Sequence, residues 1–280
     1  MSTEGKCYLS PAKINLFLHI LNRRADGYHE LQTVFQLLDF GDELTFNGNE
    51  NGILTLHQTA ENQLQPLPAS QNIILKAAQL LRKRTNNIEK GAEIILKKRI
   101  PIGGGLGGGS SNAATTLKVL NRLWRCNLSD KELSACALQL GADVPFFLGG
   151  HSAWGEGVGE KLRPIQLEKA WYVVITPKCS VSTALIFSHE NLTRNTQAIK
   201  MADFLAGSAR VRNDCELVTK KLYPKIEEAH SWLSKHAETR MTGTGASVFA
   251  KFTSEKQARA VLEQAPKGMR GFVAEGVNSL

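Results

Sequence analysis

The stretch Pro101-Ile-Gly-Gly-Gly-Leu-Gly-Gly-Gly-Ser-Ser111 decides the reading of this chain, and six of its eleven residues are glycine. Glycine admits positive φ and leaves backbone N–H groups open to close approach. Helix-forming sequence follows at once, from Ser111 to Trp124. A helix N-terminus carries unpaired N–H donors and the positive end of the helix dipole, and a phosphate suits such an end. The segment is therefore read as a nucleotide-phosphate loop made of Pro101, Gly103, Gly104, Gly105, Leu106, Gly107, Gly108, Gly109, Ser110 and Ser111. The two serines add hydroxyls able to touch a phosphate or a metal ion.

Two common loop types are disfavoured. A Walker A loop needs Gly-Lys-Ser/Thr, and no lysine precedes Ser110. Gly103, Gly105 and Gly108 do satisfy G-x-G-x-x-G. A dinucleotide fold would follow the helix with an apolar strand ending in Asp or Glu. Asn127-Leu-Ser-Asp130 reads as a turn and helix cap instead.

Composition narrows the class. The chain has 280 residues, 42% of them hydrophobic and 21% charged, enough to bury a substantial core. No window approaches about 18 uninterrupted apolar residues, so no membrane span is expected. The N-terminal apolar patch contains Lys13 and Asn15 and reads as a strand rather than a signal peptide. The five cysteines are scattered and form no C-x-x-C pair, which points to a reducing cytoplasm without disulfide framework or zinc site. The net charge of +8 suits small polyanions such as nucleotides. No zinc-finger, RRM or long basic-helix pattern accompanies it, so neither nucleic acid nor a membrane is an expected partner.

Along the chain, Ile14 to Leu21, Leu31 to Phe40, Glu43 to Phe46 and Ile53 to Gln58 read as strands, with a polar turn from Asn22 to Gly27. Ala60 to Ser70, with Pro66 and Pro68, reads as a loop. Asn72 to Arg84 has helical spacing, and Ala92 to Ile100 is a strand candidate. Ser129 and Glu132 form a capping box for a helix through Leu140. Trp171 to Thr176 is a short apolar strand. Asp214 to His236 is helical, with Pro224 restarting the helix. Ser247 to Phe252 alternates as a strand, and Ser254 caps a last helix. Strands and helices without regular βαβ alternation make the chain α+β. The expected domains are 1–155, holding the phosphate loop, and 156–280.

Three segments resemble the motifs of the GHMP kinases: Pro11-Ala-Lys-Ile-Asn15, Pro101 to Ser111, and Thr242-Gly-Thr-Gly-Ala-Ser247. Asp26-Gly-Tyr-His-Glu-Leu-Gln-Thr-Val-Phe35 and Gly141-Ala-Asp-Val-Pro-Phe-Phe147 are similar to the branch of that family whose acceptor is a cytidine diphosphate alcohol. The resemblance runs from about residue 8 to the C-terminus. It implies a two-domain α+β fold with the active site in the interdomain cleft. It also implies transfer of the ATP γ-phosphate, with Mg²⁺ accompanying the nucleotide, to the 2-hydroxyl of a methylerythritol moiety. Carried over motif by motif, Asp143 is the general base and Lys13 its partner. Asn15, Tyr28 and His29 lie on the substrate, with Val158, Thr183 and Phe187 as further substrate-side residues. The loop around Gly243, Thr244 and Gly245 supports the phosphate site. No protein-only metal site is expected. Relatives often show cysteine where Ser247 stands.

The residues taken alone leave alternatives open. Asp143, among apolar neighbours, is either functional or a capping or paired carboxylate. Lys13 in an apolar strand is either a partner for such an acid or a snorkelled cation. Tyr28 and His29 offer a π-face and an edge suited to a pyrimidine, or they are loop packing. Thr242 to Ser247 also fits a plain hairpin turn. Rival readings are a GHMP kinase acting on homoserine or mevalonate, a nucleotide-binding sensor, and an NAD-dependent oxidoreductase.

Overall fold

The computed structural model describes residues 5–60 and 72–280. The loop expected between Ala60 and Ser70 lies outside the described residues except for Ala60 itself, which ends a strand. Two long strands open the chain, β1 (Cys7–Arg23) and β2 (His29–Asn49), and they pair with each other. Successive side chains of a strand face opposite ways. In β1 this sends Leu18 and Ile20 into a core while Lys13, Asn15, Phe17 and His19 share the other face. The described residues divide into two compact units, and both strands run through both of them.

The first unit takes the described residues within Met1–Ala12, Gly41–Ile100 and Gly107–Gly150. Its sheet adds β3 (Leu54–Ala60) and β4 (Gly91–Lys98), with β4 parallel to β3 and antiparallel to β2. Four helices belong to it: α1 (Ile73–Thr85), α2 (Gly108–Leu123), α3 (Asp130–Leu140) and α4 (Val144–Gly149). Asn72 caps α1 by accepting from the Ile74 N–H, and Ser129 with Glu132 closes the expected capping box on α3. The core gathers Phe46, Ile74, Leu81, Ile94, Leu117, Leu120 and Phe146, all fully buried.

The second unit takes Lys13–Phe40, Pro101–Leu106 and His151–Leu280. Its strands are β5 (Ala153–Gly157), β6 (Lys161–Pro164), β7 (Trp171–Ile175), β8 (Thr239–Met241), β9 (Val248–Phe252) and β10 (Gly271–Val277). The order β2-β10-β7-β9-β8 is antiparallel throughout, and β5 pairs with β2 and with β6. Helices α5 (Thr183–Ser188), α6 (Met201–Leu205), α7 (Glu216–Leu222), α8 (Pro224–Leu233) and α9 (Glu255–Glu263) complete it. Val173, Ile175, Ile226, Leu233, Val248 and Ala250 form its core with Leu18 and Ile20.

Several local expectations change. The units interleave along the chain, and their last crossing lies at Gly150/His151. β2 does not break before Glu43 but continues to Asn49, because it pairs with β10 and β5 early and with β4 later. Asp214 does not start a helix. Its buried carboxylate accepts from the Ile20 N–H at 2.7 Å, the Thr196 hydroxyl at 2.6 Å and Arg212 Nε at 2.6 Å. The break at Pro224 stands as expected, with proline in the first turn of α8.

Candidate active site

Gly103, Gly105 and Gly107 all hold φ of 72°, the left-handed region open to glycine at no steric cost. A Cβ on Gly105 would stand 2.5 Å from the Thr242 carbonyl oxygen and 2.8 Å from that of Gly245. A Cβ on Gly104 would stand 2.8 Å from Ser247 Oγ. Backbone bonds fasten the same stretch: Ala246 N–H donates to Gly103 O at 3.2 Å and Ser247 N–H to Gly104 O at 3.1 Å. The segment Thr242–Ser247 is thus both the turn that joins the antiparallel pair β8 and β9 and a brace for the glycine loop.

The first motif joins this brace within the second unit. Lys13 N–H donates to Leu106 O at 3.0 Å. The buried Lys13 ammonium donates to Asn15 Oδ1 at 2.5 Å and lies 5.4 Å from the centroid of the Phe35 ring. Asn15 N–H donates to Thr242 Oγ1 at 2.9 Å, and its amide donates to Thr33 Oγ1 at 2.9 Å. Thr242 Oγ1 in turn reaches Gly105 O at 3.3 Å. Asn213 ties down the brace by donating to both Met241 O and Gly243 O at 2.7 Å. Thr244 is held by the Thr183 hydroxyl at 3.0 Å. Lys13, Asn15, Gly103 to Leu106, Thr183 and Gly243 to Gly245 are therefore brought together.

In the first unit the helix begins earlier than its sequence suggests. α2 starts at Gly108, so Gly108, Gly109 and Ser110 form its first turn. A Cβ on Gly108 would stand 3.0 Å from Ile100 Cγ2 and 3.2 Å from Lys98 Nζ. Gly107 caps the helix without any side-chain bond, which leaves the first N–H groups as donors for an anion. Ser110 is half-buried there. Ser111 is fully buried and its Oγ accepts from the Ser10 hydroxyl at 2.9 Å, so its hydroxyl is committed inward.

Beneath the turn lies a buried cluster that local sequence does not announce. Asp42, with no exposed surface, accepts from Lys98 Nζ at 2.8 Å, the Ile100 N–H at 2.7 Å, the Arg99 N–H at 2.8 Å and the Asn112 amide at 3.0 Å. Burial lowers the Lys98 pKa from its ordinary value, and the Asp42 carboxylate opposes that shift. Asp143 also belongs to this unit. It is half-buried at the residue before α4, and its side chain makes no capping bond there.

The remaining predicted residues lie in the second unit. His29 is 8% exposed, and its ring centroid lies 5.2 Å from that of Phe187. Arg194 Nε donates to His29 Nε2 at 3.1 Å. Burial and the charges of Arg194 and Arg23 lower the His29 pKa below its ordinary value. Tyr28 is 64% exposed at the end of the β1–β2 turn, with its N–H bonded to Asp26 Oδ1 at 3.1 Å. Val158 is half-buried in the β5–β6 turn, held by its N–H to Glu160 Oε2 at 2.6 Å. The structure thus groups His29 with Phe187, and leaves Tyr28 and Val158 outside that contact. Arg194 and Asn213 enter the arrangement without having been singled out, and Thr242, named only as part of its motif, contributes its hydroxyl. Arg194 stands 165 residues from His29, and no local pattern signals such a pairing.

The comparisons with known proteins give the family. The model for GHMP kinases N terminal domain matches residues 72–151, and that for GHMP kinases C terminal matches 191–271. A protein of Marinobacter nauticus named 4-diphosphocytidyl-2-C-methyl-D-erythritol kinase is 52% identical over 273 residues, covering 96% of this chain and 93% of its own. A crystal structure titled 4-(cytidine 5'-diphospho)-2C-methyl-D-erythritol kinase is similar with a TM-score of 0.84 at 32% identity, covering 98% of this chain and 100% of its own. The Methanococcus jannaschii mevalonate kinase shares the fold, with a TM-score of 0.69 at 18% identity, covering 98% of this chain and 99% of its own. No described helix is long and apolar enough to cross a membrane. The chain belongs to the GHMP kinases, in the family of the 4-diphosphocytidyl-2-C-methyl-D-erythritol kinases, and is an ATP-dependent phosphotransferase.

Proposed function

We propose that this kinase transfers the γ-phosphate of ATP to the 2-hydroxyl of 4-diphosphocytidyl-2-C-methyl-D-erythritol, a step of non-mevalonate isoprenoid synthesis in the cytoplasm. The observation that carries the reading is the similarity, over nearly the whole chain, to relatives of that name. Phosphoryl transfer asks a protein for positioning and charge neutralisation more than for covalent chemistry.

In this reading residues 1–155 carry the donor-phosphate loop and 156–280 the C-terminal family domain. The loop from Pro101 to Ser111 holds the ATP phosphates. The left-handed glycines and the open first turn of α2 support that role, since each leaves N–H groups without a Cβ in front of them. Mg²⁺ travels with the nucleotide and neutralises charge on its phosphates. Such an ion commonly keeps several water ligands beside its phosphate ligands. Ser110 is the serine available to it, given that Ser111 bonds Ser10.

Asp143 takes the proton of the acceptor hydroxyl, and Lys13 is the second catalytic residue. Asn15, Tyr28, His29, Val158, Thr183 and Phe187 face the acceptor. The packing of His29 on Phe187 supports a pyrimidine subsite over the homoserine or mevalonate alternatives, whose acceptors carry no base. Gly243, Thr244 and Gly245 keep the glycine loop in register.

The test is ATP consumption by the purified chain with three acceptors in turn. ADP release is expected with the cytidine diphosphate alcohol alone. Equal turnover with homoserine or mevalonate would end the substrate assignment.

A further inference from the structure

The contact between Arg194 and His29 specifies more than packing. A neutral imidazole carries one N–H and one lone pair, and which nitrogen holds the proton follows from its partners. Arg194 is a pure donor that stays protonated. Its Nε–H points to His29 Nε2 at 3.1 Å, so that nitrogen must offer its lone pair. The proton of the neutral ring then resides on Nδ1.

The guanidinium cannot swing away at no cost. Its Nη1 donates to Leu192 O at 3.2 Å, and its Nη2 donates to Phe187 O at 2.9 Å and His189 O at 2.8 Å. One side chain thereby grips the backbone of Phe187 and the ring that Phe187 packs against. The arrangement lies wholly within the second unit.

We propose that Arg194 is a specificity-determining positioning residue: it locks His29 as the Nδ1–H tautomer, making the ring a donor that selects cytosine over uracil. The proposal rests on the substrate reading above. The two pyrimidines invert at N3, an acceptor in cytosine and an N–H donor in uracil. A fixed Nδ1–H completes a hydrogen bond with the first and meets a second donor in the other. A buried donor left without an acceptor loses its hydrogen bond without compensation, and sites that reject by this route discriminate strongly.

The experiment has two arms on the full-length chain. Long-range ¹H–¹⁵N correlation of the His29 ring at neutral pH reads the tautomer without any substrate. Wild type is expected as Nδ1–H, and Arg194→Met as a mixture of tautomers. The second arm compares kcat/KM for the cytidine diphosphate alcohol and its uridine counterpart. Wild type is expected to favour cytidine by about 100-fold or more, and Arg194→Met to lose about tenfold of that preference, through KM rather than kcat.

Arg194→Lys keeps the positive charge but not the fork that reaches three carbonyls and the His29 ring together, so it is expected to lose base preference as Arg194→Met does. It carries the same two arms if Arg194→Met does not fold. An Nε2–H tautomer in wild type, or an unchanged cytidine preference in a folded variant, overturns the proposal. Absence of turnover with the cytidine compound overturns the substrate reading and the base selection with it. The tautomer arm separates that failure from a failure of the Arg194 lock.

Discussion

The ammonium of Lys13 donates to the side-chain oxygen of Asn15 at 2.5 Å, two residues along the same face of β1. Asn15 is itself bonded to Thr33 and Thr242, so the lysine is aimed by a strand and by the loop that braces the glycine segment. Lys13→Met is therefore expected to lower kcat by about 100- to 1000-fold with little change in thermal stability. Asp143→Asn should retain ATP binding while turnover falls by about 10²–10⁴-fold. Steady-state kinetics with ATP binding by titration calorimetry checks both, and full activity in either variant removes that residue from the mechanism.

The buried pair of Asp42 and Lys98 makes a stability prediction. Removing one partner strands the other in a site without solvent, at a cost of about 3–5 kcal/mol. Asp42→Asn should cost this in urea denaturation, since Asp42 also receives two backbone N–H groups and the Asn112 amide. The double variant Asp42→Asn/Lys98→Met should cost less than the sum of the two single changes. Strict additivity would show that the pair is not energetically coupled.

Gly105 combines positive φ with a wall of backbone oxygens. Gly105→Ala forces Thr242 and Gly245 to retreat, which displaces the brace that also holds Asn15. The expected result is a KM for ATP raised by at least about tenfold, with a stability loss of about 1–3 kcal/mol. Gly27→Ala is the control. It also has positive φ, but nothing lies within 4 Å of its added Cβ, so backbone strain should appear there without the kinetic effect.

Two histidines tie stability to pH. His19 and His29 both have pKa values lowered from 6.5, His19 through burial with Arg212 adding to the shift and Asp214 opposing it, and His29 through burial with Arg194 and Arg23. Below pH 6.5 the unfolded chain binds protons that the folded chain refuses. Their stabilising contribution is thus complete above that value and is lost as pH falls through the lowered folded values. The melting temperature should drop as pH falls below about 6.5, and His19→Asn should flatten that slope. A melting temperature that rises on acidification over this window would contradict the linkage.

The parts of the site legible in sequence are those where one short segment carries the chemistry. The glycine loop announces itself because six glycines precede a helix, and the α3 cap because Ser129 and Glu132 are three residues apart. The start of α2 was misplaced because glycine is a poor helix former. Its use at Gly108 answers to Ile100 and Lys98, whose close approach would crowd a Cβ there. Asp42, Arg194 and Asp214 were missed or misread for a different reason. Their partners lie 56, 165 and 194 residues away, and only the folded chain supplies them. Asp214 resembled a helix start in sequence, but its carboxylate instead satisfies the backbone of β1.

The central claim is that the acceptor is the 2-hydroxyl of the cytidine diphosphate alcohol. Its most direct measurement is ³¹P NMR of the product formed from ATP and 4-diphosphocytidyl-2-C-methyl-D-erythritol. The account predicts one new phosphomonoester resonance, assigned to the oxygen on C2 of the methylerythritol moiety, growing in step with ADP while the diphosphate signals of the substrate persist. ADP without a new phosphomonoester, or a phosphate on any other hydroxyl, would contradict it.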